Sequence, residues 1–295
     1  MIVVRCKGGL GNQLFQYAAG RALAAHHSVE LKVDATWYHT VESAVKVRRS
    51  FDLPHFRITA GLATEDDLRE FGVKGRTLAA RGLGRLRRAV TGHRWWSFHE
   101  MGYAAEFERL GANTLLEGFF QHPRYLTGIE PLLRAEFELR EEPPADVRDL
   151  ATGLRAGPSV CVQVRRADYA AQPESAAFHG LCGADYYHRA WQEILRRVPE
   201  ARAWVFTDDP GWARDQLAEL RPVRIVHEDI AGPAFGHKFH VMRACRHFIT
   251  ANSTFGWWAA WLGASAESVV VVPRAWLRDR DVDDLGLRLP GWLAY

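Results

Sequence analysis

The chain has 295 residues, more than one domain usually holds, and this length predicts two domains. Its 38 Lys and Arg residues nearly balance 35 Asp and Glu residues, so the formal net charge of +3 gives no support for nucleic-acid binding. No stretch approaches the roughly 18 uninterrupted apolar residues of a membrane span, and no apolar run follows Arg5 and Lys7. We therefore expect a cytoplasmic enzyme without a signal peptide.

The first elements along the chain predict a parallel α/β sheet. "MIVVRC" (1–6) is typical of a buried strand, "NQLFQYAAGRALAAHH" (12–27) has helical spacing, and "VELKVD" (29–34) alternates like a second strand. Residues 40–115 are irregular and rich in aromatic residues, and "TLLEGFF" (114–120) has the pattern of a further strand. Strand, helix and strand in this order open a parallel α/β fold.

The second half repeats this rhythm after a linker of prolines and acids at 141–146. Five apolar strands are predicted there, with amphipathic segments between them: "SVCVQV", "AWVFTD", "VRIVHE", "HFITAN" and "SVVVVP". The predicted architecture is α/β, with two Rossmann-like halves that face each other across a central cleft. The corresponding domains are 1–140 and 147–280, followed by a tail at 281–295.

A glycine turn joins the first strand to the first helix and predicts a ligand site. Gly9 and Gly11 lack Cβ atoms, so a ligand can approach the backbone at a helix N-terminus that carries partial positive charge. The amides of Asn12 and Gln13 suit sugar hydroxyls or phosphate oxygens. One alternative is a purely structural turn with Asn12 as the helix cap.

A dinucleotide site is the other alternative for this turn. The dinucleotide fingerprint needs a third Gly or Ala where this sequence has Leu14, which disfavours it. Asp34 lies at the end of the next predicted strand, where a ribose-binding acid would stand, and keeps a nicotinamide or flavin site open. A Walker loop is excluded because no Gly-Lys-Ser/Thr follows.

Two strand ends in the second half also carry polar residues. "SVCVQVRRADY" places Gln163 and Arg165 on one face, so Arg165 is predicted to bind a diphosphate and Arg166 to pair internally, for instance with Asp168. The strand "HFITA" ends before a helix whose N-terminus is a second predicted anion site. That site comprises Asn252, Ser253 and Thr254.

Three other patterns favour structural roles. Trp257, Trp258 and Trp261 have the spacing of core residues, and Asp209 before Pro210 is typical of a helix cap rather than a metal ligand. The four cysteines lack metal spacing and are predicted to be reduced structural thiols. The basic, acid-free segment 74–94 is a solvated surface or a contact with a membrane or a phosphorylated acceptor.

Several stretches, taken together and in order, resemble glycosyltransferase family 11, the bacterial α-1,2-fucosyltransferases. They are "GGLGNQLFQYAAGRALA", "LLEGFFQHPRYL", "VQVRRADY", "VFTDD", "HVMRACRHFITANSTFGWWAAWL" and "VVVPRAWL". The resemblance implies a GT-B-like fold and inverting transfer of fucose from GDP-fucose to the 2-hydroxyl of a terminal sugar, in polysaccharide biosynthesis. It also implies that neither a metal nor another cofactor is needed.

The resemblance assigns roles to individual positions. An arginine in the place of Arg165 binds the donor diphosphate, and an asparagine in the place of Asn12 lies near the reacting sugar. The loop Ser253, Thr254 and Phe255 completes the donor site, and Asn252 precedes it.

This sequence departs from the family pattern at the expected guanine site. Gln163 stands where the pattern has a histidine, and Lys238 takes the place of an acid. Glutamine is still able to bond a base edge, whereas lysine cannot accept hydrogen bonds from guanine N–H groups. Either the base is held differently, by Asp208 or Glu228, or the donor is another nucleotide sugar.

The general base is open, with Asp34, Glu117, His122 and Asp168 as candidates. His122 and Glu117 rank first because "LLEGFFQHPRY" is expected to border the cleft. A mechanism in which the leaving diphosphate takes the proton is equally open. The competing functional classes are an oxidoreductase and a non-catalytic glycan-binding protein.

The acceptor is expected to be a glycan or glycoconjugate, and the aromatic region 40–115 is expected to shape its site. The side chains that would either stack on a sugar ring or fill a core are Trp37, Trp95, Trp96 and Phe98.

Overall fold

In a computed structural model of the chain, the described residues are 1–39, 49–73, 92–166, 180–226 and 235–295. They divide into two compact units, Met1–Glu138 and Leu139–Tyr295. Most of the basic segment 74–94 lies outside the described residues, as do Asp168 and Glu228, so the predictions for them stay predictions. None of the described helices is long and apolar enough to cross a membrane.

The first unit is a parallel sheet of five strands in the order β3-β2-β1-β5-β4. Its elements are β1 (Ile2–Arg5), α1 (Leu10–His27), β2 (Leu31–Asp34), β3 (Gly61–Leu62), α2 (Glu65–Glu70), β4 (Arg94–Phe98), β5 (Thr114–Gly118) and α3 (Glu130–Glu136). The predicted strand, helix and strand at the start are confirmed. Gly20 lets α1 approach the sheet, because a Cβ there would lie only 3.0 Å from Val4 Cβ.

The second unit is a parallel sheet of six strands in the order β13-β10-β9-β6-β7-β8. Its elements are α4 (Ala145–Ala156), β6 (Ser159–Val164), α5 (Ala184–Arg197), β7 (Arg202–Thr207), α6 (Pro210–Gln216), β8 (Arg224–Val226), α7 (Phe235–Met242), β9 (His247–Ile249), α8 (Thr254–Gly263), β10 (Val270–Val272), β11 (Ala275–Leu277), β12 (Arg280–Asp281) and β13 (Leu293–Ala294). All five strands predicted for this half are confirmed. Both units therefore have the parallel α/β organisation that the sequence predicts.

The C-terminal residues 281–295 pack within the second unit. β13 pairs with β10, and the Nε1 of Trp257 donates to the carbonyl of Leu287 at 2.7 Å. Trp292 packs against Trp257 with a centroid distance of 5.7 Å. The segment predicted as a tail thus forms an edge strand and part of the core, because its apolar side chains cover α8.

The tryptophans of α8 and the four cysteines have the structural roles predicted for them. Trp257 and Trp258 are fully buried, and Trp261 is nearly so. The cysteines are buried and unbridged, and burial raises the pKa of each thiol for which a shift is resolved: Cys6, Cys161 and Cys182. A buried thiol with a raised pKa is a poor nucleophile.

Candidate active site

The strand order of the first unit reverses beside β1, because β2 lies on one side of it and β5 on the other. Ligands of open parallel sheets bind at such a reversal, outside the carboxyl ends of the strands. The glycine turn follows β1 at this edge, and residues 119–122 follow β5. The fold therefore brings the turn and the "FFQH" segment to one place.

Gly8, rather than Gly9 or Gly11, gives the turn its shape. Gly8 has a φ of +81°, and a Cβ there would lie 2.7 Å from Asn12 Nδ2. Gly9 is the N-cap of α1, so the alternative with Asn12 as cap is wrong, and Gly11 is a buried residue inside the helix. The prediction that Gly11 lines a ligand site is therefore wrong, since the helix itself covers this residue.

Gln121 fixes the orientation of the Asn12 amide. Its Nε2 donates to Asn12 Oδ1 at 2.9 Å, and Asn12 Nδ2 lies over Gly8. Asn12 is half-buried and stays at the edge where a ligand would bind. Sequence reasoning missed Gln121, although the quoted motif "LLEGFFQHPRYL" contains it.

The two glutamines of α1, Gln13 and Gln16, have structural roles. Gln13 Nε2 donates to the carbonyls of Gly8 and Ser50, and Gln16 Nε2 donates to that of Gly118 at 2.9 Å. Both side chains are fully buried. The amide of Gln13 is therefore engaged in holding the turn together. Our prediction that it binds sugar hydroxyls or phosphate oxygens is wrong for this reason.

The described carboxylate candidates for the general base are ion-paired with Arg5. Asp34 is fully buried, accepts from Arg5 Nε at 2.8 Å, and accepts from the amide and hydroxyl of Thr36. Glu117 Oε2 accepts from Arg5 Nη1 at 3.3 Å and from Trp95 Nε1 at 3.0 Å. Asp34 is thus a structural residue rather than a base or a ribose ligand, whereas the Glu117 side chain is 17% exposed.

His122 caps a short 3₁₀ helix at Pro123–Leu126. Its Nδ1 accepts from the backbone N–H of Arg124 at 3.1 Å. Burial, and then the charge of Arg124, lower the pKa of the ring below its ordinary value. His122 is therefore neutral at physiological pH, and the nitrogen with its lone pair faces the backbone.

The aromatic side chains of the region 40–115 divide into two groups. Trp96 stacks on Phe98 at 5.8 Å and on Phe120 at 5.9 Å; Phe120 is buried, whereas Trp96 and Phe98 are partly exposed. Trp95 is 38% exposed and lies against the Arg5 guanidinium at 5.1 Å. Of the four predicted side chains Trp37, Trp95, Trp96 and Phe98, Trp95 alone is exposed, and Trp37 packs edge-on against Tyr38.

In the second unit the strand order reverses between β6 and β9. Arg165 follows β6 there, and its Nη1 lies 3.3 Å from Asp208 Oδ2. That oxygen lacks hydrogen-bond geometry to any donor in the described ranges, so charge attraction joins it to Arg165. Asp208 Oδ1 accepts from the amide of Arg166 at 2.8 Å. Asp208 thereby holds both arginines at the edge of the sheet.

Arg166 is paired within the second unit, as predicted, whereas its suggested partner Asp168 lies outside the described residues. Its guanidinium stacks on Trp212 at 4.1 Å and donates to the carbonyl of Cys182 at 3.2 Å. Asp209 caps α6, as predicted, because its Oδ1 accepts from the amide of Trp212 at 3.0 Å. The pair of acids in "VFTDD" therefore has one member that supports the two arginines and one that caps the N-terminus of a helix.

Gln163 joins the two strands at the reversal. Its Oε1 accepts from the amide of Ala251 at 3.0 Å, and Gly256 leaves room for this side chain. One lone pair of the Gln163 oxygen is therefore used within the protein, which leaves the second lone pair and the N–H groups for other contacts. Lys238 lies on α7 and donates to the carbonyl of Thr207 at 3.3 Å.

The residues before α8 frame the helix N-terminus. Ser253 is the N-cap without a side-chain bond, so its hydroxyl leaves the first amides of the helix uncapped. Asn252 is buried and donates to the carbonyl of Trp276 at 3.2 Å, which makes it a structural tie rather than an exposed ligand. Phe255 packs against Phe239 at 5.2 Å, and Thr254 begins the helix.

The sequence model of the family described as "Glycosyl transferase family 11" matches residues 101–294. The chain belongs to glycosyltransferase family 11. It is similar to the O-antigen biosynthesis glycosyltransferase WbnK of Escherichia coli, with 28% identity, 91% of this chain and 92% of the relative being covered. It is also similar to the α-1,2-colitosyltransferase of Escherichia coli, with 25% identity and coverage of 96% and 94%.

Among solved structures, a mutant of Arabidopsis thaliana FUT1 in complex with GDP aligns with a TM-score of 0.51. The two are 14% identical, and the alignment covers 91% of this chain and 70% of the other. This likeness shows that the two chains share a fold. Family membership also makes the chain a glycosyltransferase, which excludes the oxidoreductase and non-catalytic alternatives.

Proposed function

We propose that this family 11 enzyme transfers L-fucose from GDP-fucose to the 2-hydroxyl of a terminal sugar, with inversion and without a metal or other cofactor. The observation that carries the proposal is the position of Arg165. It lies at the carboxyl end of β6, where the strand order reverses between β6 and β9. A guanidinium at such an edge can bind a diphosphate through two parallel hydrogen bonds.

The N-terminus of α8 supports the same role. Its first amides are uncapped by the Ser253 side chain and carry partial positive charge. Together with Arg165, they would offset the charge that develops on the departing diphosphate. Fixed positive groups of this kind stabilise a transition state without reorganising.

The first unit supplies neutral groups at its own reversal. The amides of Asn12 and Gln121 bond to each other beside Gly8, and neutral amides suit the hydroxyls of sugars. We assign Asn12 to the reacting sugar and the edge around it to the glycan acceptor. The acceptor class, a glycan or glycoconjugate, follows from the α-1,2 glycosyl transfer named for the relatives.

Two routes remain for the acceptor proton. Glu117 is the carboxylate that keeps some exposure among the described candidates, although Arg5 and Trp95 occupy its Oε2. In the other route, the leaving diphosphate takes the proton itself. Glu117→Gln separates them, since loss of turnover by more than about 100-fold indicates a base and near-normal turnover indicates the diphosphate route.

Another nucleotide-sugar donor is the second candidate, and Gln163 with Lys238 favours it. Gln163 uses one lone pair of its oxygen on Ala251, and Lys238 is only a donor, so the lysine cannot accept from the N–H groups of guanine. Asp208 is the acidic group next to Arg165 that could accept them. A thermal-shift panel of GDP, UDP, dTDP, ADP and CDP distinguishes the two donors. Stabilisation by GDP alone supports GDP-fucose, and stronger stabilisation by another diphosphate overturns it.

The test of the proposed function is Arg165→Ala, assayed for sugar transfer. We expect a loss of about 100-fold or more in kcat/KM, because the charge that stabilises the leaving diphosphate is removed. Arg202→Ala is the matched control, since Arg202 is an exposed arginine at the opposite, amino end of the neighbouring strand β7. Equal activities of the two variants would refute the role of Arg165.

A further inference from the structure

His122 has one nitrogen turned inward and one turned outward. Nδ1 accepts the backbone N–H of Arg124, while Nε2 has no hydrogen-bond partner within the described part of the chain. The ring is half-buried, and Nε2 is absent from the buried polar atoms that lack a partner, so it reaches solvent. The outward nitrogen lies at the same sheet edge as Asn12 and Gln121.

The inward bond determines where the ring proton sits. A nitrogen that accepts an N–H must hold a lone pair, so the neutral ring carries its proton on Nε2. The imidazolium form would place a proton on Nδ1 as well and would break the bond to Arg124. The side chain therefore presents an N–H donor at the edge and not a lone pair.

The surroundings of His122 fit an uncharged ligand. The Arg124 guanidinium is compensated by Glu108 at 2.8 Å and stacks on Tyr103 at 4.0 Å. Tyr103 also packs against the His122 ring at 5.6 Å and donates its hydroxyl to Glu108 at 2.7 Å. The Arg124 charge is thus paired with Glu108, so this guanidinium is not a free cation for a phosphate group.

We infer that His122 is an acceptor-binding residue whose Nε2–H donates to an oxygen of a neutral acceptor sugar, and that it is not the general base. This rests on the proposed function, since a glycan acceptor is needed at this edge. The Nε2–H group donates to a lone pair on an oxygen of the acceptor sugar. The proton of the reacting hydroxyl is then removed by another group. The inference replaces the role of base that the sequence suggested for this histidine.

Two substitutions separate the two nitrogens. His122→Gln places an amide N–H near the position of Nε2 but loses the bond to Arg124, whereas His122→Asn keeps an acceptor for Arg124 and loses the outward donor. We expect the Gln variant to retain acceptor KM within about threefold. We expect the Asn variant to raise it by about threefold to tenfold with kcat nearly unchanged, the loss of one neutral hydrogen bond.

Other kinetic outcomes overturn the inference. Loss of kcat by more than about 100-fold in both variants would show a general base. An Asn variant equal to the wild type would show that His122 serves only as the cap of the 3₁₀ helix.

A measurement without the sugar donor keeps this test separate from the proposed function. The chemical shifts of the two ring nitrogens of His122, read by NMR in labelled protein, report the tautomer directly. We expect the Nε2–H form, and the Nδ1–H form would overturn the inference even if GDP-fucose proves to be the donor.

Acceptor binding is measured with methyl β-galactoside, methyl β-glucoside and lactose, again without a donor. We expect weaker binding to the Asn variant than to the wild type for at least one of them. Equal binding to both proteins, or no binding of any of these sugars to the wild type, overturns the inference. Failure of GDP-fucose as substrate, with these results in place, would refute only the proposed donor.

Discussion

Gly256 lies in the first turn of α8, against the side chain that joins the two strands of the second unit. A Cβ at this position would stand 2.4 Å from Gln163 Oε1 and 3.0 Å from Gln163 Cδ. Moving this oxygen away costs free energy, because it accepts a hydrogen bond from the buried amide of Ala251 at 3.0 Å. Gly256→Ala is therefore expected to break this hydrogen bond and to displace Gln163.

The magnitude follows from three contributions. A buried N–H without a partner costs about 1–3 kcal/mol, and forcing an extra methyl into a packed site costs about 1–3 kcal/mol. Replacing a helical glycine by alanine returns about 0.5–1 kcal/mol. We expect a net loss of about 1–5 kcal/mol, which lowers the melting temperature by roughly 2–20 °C for a unit of this size.

Thermal unfolding, followed by calorimetry, measures this loss. Gly153→Ala is the matched control, since Gly153 lies in α4 and a Cβ there meets nothing within 4 Å. We expect it to leave the melting temperature unchanged or to raise it by a few degrees. In a Gln163→Ala background, Gly256→Ala is expected to cost almost nothing, because the clashing side chain is gone. A Gly256→Ala variant as stable as the Gly153→Ala variant would refute the reasoning.

Three further expectations concern other parts of the two units. Gly8→Ala places a side chain on a backbone with φ +81° and brings its Cβ within 2.7 Å of Asn12 Nδ2. We expect a lower melting temperature and a reduced kcat/KM. If both quantities are unchanged, this glycine does not shape the turn as argued. Asp209→Ala removes the cap of α6 and is expected to cost about 1 kcal/mol in chemical unfolding, whereas Asp209→Asn should cost much less. Burial, and then a neighbouring arginine, lower the pKa of His247 from 6.5, so the folded state favours the neutral ring. Stability should fall as the pH drops from about 7 to 5, and a His247→Asn variant with the same pH dependence of melting would show that another group is responsible.

The regular elements of both units could be predicted from the sequence. The strands β1, β2, β6, β7, β8, β9 and β10 are short apolar or alternating runs, and α1 and α5 follow the helical period. Such patterns depend on neighbours along the chain, because each residue only has to match the period of its own element. The position of Arg165 at a strand end follows from the same reasoning.

The partners of the polar side chains could not be predicted in this way. Gln163 looked like a residue for the base of the donor, yet its oxygen bonds to an amide 88 residues away. Asp34 looked like a base or a ribose ligand, and it is saturated by Arg5 and Thr36. A sequence gives the chemical type of such a group, whereas its free hydrogen-bonding capacity depends on contacts between distant segments.

The sequence by itself determined that this protein is a two-unit α/β glycosyltransferase with an arginine after a buried strand, because apolar periodicity and ordered motifs are properties of the chain. Only the tertiary structure decided that Gly8 shapes the first turn, that Gln121 orients Asn12, and that His122 points an N–H outward. The physical reason is that a polar side chain at a site is defined by which of its donors and acceptors the rest of the fold has already used.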